Sequence, residues 1–167
     1  MNDKAMKEML KGCSLHSLLM LTSKVLTRSG FGDVEILDRR QSKERSRYGG
    51  HELECTASFG FVPMRVIVKV VNDSVRVRML DELAGTVARR NADLGMIVTP
   101  HHLTTKAKLH QGIYRRMRVH AVDGTDLAQL LQKCNIGTRG HADVDYAFFG
   151  ALEDVSSRLL SFIASGR

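Results

Sequence analysis

A chain of 167 residues, 43% of them hydrophobic, has the size and apolar content of one ordinary domain, so a single unit over residues 1–167 is expected. The 25 Lys and Arg against 18 Asp and Glu leave a formal charge of +7, which favours a polyanionic partner. Three widely spaced cysteines without a CxxC pair exclude a disulfide framework and a zinc knuckle, and zero Trp with three Tyr argues against binding mainly by stacking on unpaired bases.

The opening run MNDKAMKEMLKGCSLHSLLMLTSK breaks its apolar residues with Lys and Ser. It resembles neither a signal peptide nor a membrane span of about 20 residues, so a reducing cytoplasm and no membrane partner are expected. Leu15, Leu18, Leu19, Leu21, Val25 and Leu26 recur at helical spacing and stop at Ser29-Gly30, which predicts a first helix. A strand over 34–37 leads into the polar segment DRRQSKERSRYGG, read as a basic loop. HELECTAS and FVPMRVIVKVV then read as two strands joined by a turn near Gly60.

VRMLDELAGTVARR carries Met79, Leu80, Leu83, Val87 and Ala88 at helical period, and LGMIVT is a short apolar strand of the kind buried in a sheet. A helix beginning near a Thr in HHLTTKAKLHQG, a strand in MRVHAVDG and a capped helix in TDLAQLLQKC follow. In the tail, Val144, Phe148, Ala151, Val155, Leu159 and Phe162 predict one apolar stripe on a C-terminal amphipathic helix over 142–165. The predicted order is α-β-β-β-α-β-α-β-α-α. This is an α/β fold with a mixed central sheet, an antiparallel hairpin followed by parallel crossover strands, flanked by helices.

Lys69 interrupts Val66, Ile67, Val68, Val70 and Val71. A buried ammonium costs several kcal/mol unless a carboxylate meets it. Glu52 and Glu54 share one face of the neighbouring strand and are positioned to supply one. The other placement consistent with the spacing is a sheet edge or strand end, with the ammonium in water.

The run from GGHELEC through RVIVK to LDELAGTVARRNADLGMIVTPHHLTTKA and VHAVDGTDLAQLL resembles the core of the Mrr-type restriction endonucleases, in the PD-(D/E)xK nuclease superfamily, over residues 15–131. That resemblance implies a restriction-endonuclease-like fold and a catalytic set that includes Glu52 and Lys69, with Glu54 on the same face as the candidate to join Glu52 on the metal side. In it Glu52 takes the position of a metal-binding aspartate and Ile67 that of a Glu or Gln. The implied cofactor, if the chain is active, is Mg²⁺, which would lower the pKa of a bound water beside the scissile phosphate.

Two departures weaken the expectation of cleavage. Glu52 is longer than Asp by one methylene, about 1.5 Å, and Ile67 has no donor atom. The first helix also offers no carboxylate. The leading expectation is therefore a DNA-binding domain of this fold with cleavage impaired. One alternative is an active Mg²⁺-dependent endonuclease using Glu52, Glu54 and Lys69, or an acid that has migrated to Asp81 or Glu82. Another is a non-catalytic protein-interaction or assembly module.

Phosphate contact is expected from Arg39, Arg40, Lys43, Arg45 and Arg47 in the basic loop, from Arg76 and Arg78, and from Arg115 and Arg116, with Arg89, Arg90 and Arg118 nearby in sequence. His101 and His102 are read as structural or exposed, because adjacent histidines diverge and no third ligand is suitably spaced. His51 should face away from Glu52. With little chain before the first predicted helix, a protein partner supplying specificity is expected, and the tail stripe either packs on its own core or pairs with a second copy as a homodimer.

Overall fold

The computed structural model describes residues 3–37, 50–140 and 143–164. Helix α1 (Asp3–Gly12) precedes the helix predicted first, α2 (Leu15–Arg28). Met6 and Leu10 bury one side of α1 against the core, and Ser14 caps α2 by accepting from the Ser17 amide. Then come β1 (Gly32–Leu37), β2 (His51–Phe59), β3 (Val62–Val70), α3 (Val77–Arg89), β4 (Leu94–Val98), α4 (Thr105–Arg116), β5 (Val119–Val122) and α5 (Gly124–Lys133). Two short strands, β6 (Thr138–Arg139) and β7 (Asp143–Val144), pair ahead of α6 (Tyr146–Ala164). From α2 to α5 the predicted order holds. The structure adds α1 and the β6–β7 pair.

The five main strands lie in the order β1-β2-β3-β4-β5, antiparallel across β1, β2 and β3 and parallel across β3, β4 and β5. This is the mixed sheet that the alternation and the apolar runs implied. The central strand is β3, and its residues from Val66 to Val70 are buried, so Lys69, although next to the last residue of its strand, lies neither at a sheet edge nor in water.

Helices cover both faces. On one side α1, α2, α5 and α6 pack over Leu53, Cys55, Val66, Val68 and Val70, and on the other α3 and α4 pack over Ile67 and Ile97. Gly95 brings α3 close to β4, since a Cβ there would lie 2.6 Å from a methyl of Val87.

The tail corrects one expectation. Its helix starts at Tyr146, because Asp145 accepts from the amides of Ala147 and Phe148 and so caps it. The side it buries carries Phe149, Leu152 and Ser156; of the predicted stripe, Val144 and Phe148 pack on the core, whereas Ala151, Val155 and Leu159 are exposed. A serine on the buried side concealed that face in the sequence. It packs because its hydroxyl lies 2.7 Å from that of Ser17 on α2.

Candidate active site

The site begins at Gly50. Its backbone has φ +94°, and a side chain there would meet the Val70 carbonyl oxygen at 2.6 Å, so glycine is what lets the chain enter β2 this close to β3. His51 then pairs with Val70, Glu52 stands directly opposite Lys69, and Glu54 stands opposite Ile67. Strand alternation puts Glu52, Glu54, Arg65, Ile67 and Lys69 on the face covered by α3, while Leu53 and Cys55 enter the opposite core. His51 has the parity of Leu53 and so points away from Glu52, as expected.

Lys69 is 1% exposed, and its ammonium lies 3.1 Å from Glu82 Oε2, an oxygen itself buried beneath α3. The acid that meets the lysine is therefore supplied by the helix after the hairpin. Helical periodicity leaves Glu82 beside Leu83 on the half of α3 that turns toward the sheet, and this was the one signal available for it. Ile67, 0% exposed, fills the core between the sheet and α3.

Glu54 is gripped by Arg65, which donates to it from both Nε and Nη2, the latter at 3.0 Å. Arg65 Nη1 also donates to the carbonyl of Arg90 at 2.8 Å. The Arg90 guanidinium lies 3.6 Å from Glu54 Oε2 and 3.8 Å from Glu52 Oε2. Arg65 was not anticipated as part of this site, although its parity with Ile67 and Lys69 on β3 places it on the acidic face. Arg90 was anticipated only as a flanking cation.

These residues do not fit the divalent metal that the resemblance implied. Ile67 has no donor, Glu54 is held by two guanidinium groups, and the buried Glu82 Oε2 faces the Lys69 ammonium at 3.1 Å as an ion pair although it accepts no hydrogen bond. Among the described residues, no three His, Cys, Asp or Glu side chains converge as the ligands of one ion would. Glu52, read as the metal-binding position, has a guanidinium for its neighbour.

The other predicted phosphate-binding residues fall in separate places. Arg76 and Arg78 are exposed where the chain leaves β3 and enters α3, at the end of the sheet that carries Lys69, and Arg76 pairs with Asp73 at 3.3 Å. Arg115 and Arg116 are exposed at the end of α4, which leads to the start of β5 at the opposite end of the sheet. Arg39, Arg40, Lys43, Arg45 and Arg47 lie outside the described residues. His101 bonds Asn72 through Nε2 at 3.1 Å, whereas His102 is exposed and its backbone carbonyl accepts from the Val75 amide at 3.0 Å.

A hairpin with Glu opposite Lys, followed by parallel strands with their crossover helices on one face and further helices on the other, defines a restriction-endonuclease-like domain. The family model Mrr_cat, described as a restriction endonuclease, matches residues 10–131, and the chain belongs to that family. Among solved structures, MspJI restriction endonuclease in complex with a 27-mer oligonucleotide is similar at TM-score 0.57 and 20% identity, covering 91% of this chain and 35% of its own. The DNA modification-dependent restriction endonuclease AspBHI is similar at TM-score 0.53 and 13% identity, covering 93% and 40%. The chain thus spans between a third and two fifths of the length of these two proteins, and the likeness to them is one of fold. Comparison with curated proteins finds none that matches. No helix among the described residues is long and apolar enough to cross a membrane.

Proposed function

We propose that this chain is a DNA-binding domain of restriction-endonuclease-like fold in which phosphodiester hydrolysis is lost. The observation that carries this reading is Ile67. It sits two residues before Lys69 with no donor atom and no exposure, so the position beside the lysine has become part of the core. With Lys69 neutralised by Glu82, the lysine's charge is spent inside the protein and is withdrawn from a developing phosphorane.

DNA engagement rests on the charge of +7 and on Arg76 and Arg78 at the Lys69 end of the sheet. Fluorescence anisotropy with a labelled duplex should give binding that weakens steeply with salt. The double variant Arg76→Glu, Arg78→Glu should lower the salt slope by about 0.9 for each DNA phosphate that these arginines neutralise. A flat salt response would remove the DNA-binding reading.

A second reading is favoured by one observation, the arrival of Glu82 at Lys69. If that carboxylate replaces the one missing at Ile67, the chain is an Mg²⁺-dependent DNA endonuclease with a relocated acid. It would then nick supercoiled plasmid, and Glu82→Gln would abolish nicking without weakening duplex binding. The exposed Val155 and Leu159 on α6 are the surface on which a second copy or a specificity-supplying protein would be sought, and light scattering reports the first of these.

A further inference from the structure

Between the hairpin and α3, the ion pairs among the described residues set three acids, Glu52, Glu54 and Glu82, against three cations, Arg65, Lys69 and Arg90. Each acid has a cationic nitrogen within 4 Å, and the sum of these six formal charges is zero. A hard divalent cation is held by uncompensated carboxylate oxygens, and none of the three is uncompensated here.

Arg90 is placed for this role by its backbone. It ends α3 with its amide bonded to the Thr86 carbonyl at 2.9 Å. Asn91 then adopts φ +51°, with its amide bonded to the Ala88 carbonyl at 3.2 Å, and the Ala92 amide returns to the Val87 carbonyl at 2.9 Å. This is a complete left-handed helix stop, which fixes where the Arg90 side chain leaves the helix. The Arg90 carbonyl is held in turn by Arg65. The guanidinium therefore reaches Glu52 and Glu54 from a backbone clamped on both sides, with one nitrogen aimed at each acid.

We propose that Arg90 is a built-in counter-ion that has taken over the charge balance a divalent metal would provide to the Glu52–Glu54 pair, so that this hairpin folds and stays closed without metal. The inference rests on the non-cleaving reading above and deepens it. Metal independence is here a positive property, supplied by one side chain.

The test uses the whole chain and Mn²⁺ as probe, followed by isothermal calorimetry and by the thermal midpoint with Mn²⁺ or with EDTA. Wild type should show no saturable Mn²⁺ binding and a midpoint unmoved by either addition. Arg90→Met should melt lower in EDTA, recover with Mn²⁺, and gain the saturable Mn²⁺ binding that wild type lacks. Adding Glu52→Gln should remove that gained binding, and Arg90→Lys should behave as wild type. If Arg90→Met does not fold, Arg90→Gln carries the same comparison, and failure of both to fold even with Mn²⁺ present overturns the proposal. Saturable Mn²⁺ binding by wild type, or none by the folded neutral variants, also overturns it. Plasmid nicking by wild type in Mn²⁺ would instead sink the non-cleaving reading, so the two failures are told apart.

Discussion

Lys69 is buried, and its ammonium faces Glu82 across the sheet–helix boundary. Removing one partner of a buried ion pair leaves a charge without its counter-ion, whereas removing both can restore an apolar core. Lys69→Met should therefore destabilise by about 2–3 kcal/mol, less than for a fully enclosed pair because Glu82 retains some exposure. Lys69→Met with Glu82→Leu should recover most of that loss, and urea unfolding of the two single variants and the double measures the coupling. Additive losses would mean that the two groups do not depend on one another. Gly50→Ala is a separate case, because a Cβ at φ +94° must also displace the Val70 carbonyl. A cost of about 1–3 kcal/mol is expected, with the hairpin's amides exchanging faster by NMR.

At the scale of elements, α6 is fastened to α2 by polar groups. The Ser14 amide donates to Glu153 Oε1 at 3.0 Å, and the buried hydroxyls of Ser17 and Ser156 meet at 2.7 Å. Ser156→Ala should cost about 1–2 kcal/mol by stranding the Ser17 hydroxyl, and should loosen α6 before the sheet in hydrogen exchange. Unchanged exchange in α6 would contradict this docking.

The same helix shows where the sequence was opaque. Ala151, Val155 and Leu159 make a cleaner apolar stripe than Phe149, Leu152 and Ser156, yet the second is buried, because the serine finds a partner more than a hundred residues away in the chain. The helix α1 was missed for a related reason. Its lysines and glutamate surround Met6 and Leu10, and the burial of those two depends on the distant α5. By contrast β3, α3 and β4 were legible, since their apolar runs and periods depend on neighbours close in sequence. In the site, the facing of Glu52 and Lys69 follows from hairpin register and alternation, whereas the arrival of Glu82 and Arg90 depends on how α3 is laid across the sheet.

At the scale of the whole molecule, the Cys13 and Cys55 thiols and the Tyr114 phenol carry proton equilibria linked to folding. Burial, reinforced by Glu153, pushes the Cys13 thiol up to about 12, and burial with Glu54 nearby pushes Cys55 up to about 11. Burial and a hydrogen bond to Asp81 push the Tyr114 phenol up to about 12. All three are raised above their ordinary values of 9.0, 9.0 and 10.0, so the fold favours their neutral forms. Their contribution is complete below pH 9.0 and is lost as pH rises toward 11 and 12. The denaturation midpoint should accordingly fall over that range. Iodoacetamide at about pH 8 should label only Cys134 of the three free cysteines until the protein is unfolded, because Cys13 and Cys55 are buried.

A domain that keeps the family's sheet and hairpin but closes its acids onto its own arginines and lysine should hold DNA without cutting it. The most direct measurement is one gel-shift lane series with supercoiled plasmid in Mn²⁺, read before and after the protein is stripped away. A shifted complex that releases fully supercoiled plasmid is the result predicted. Nicked or linear plasmid after stripping, lost on Lys69→Ala, would contradict the account.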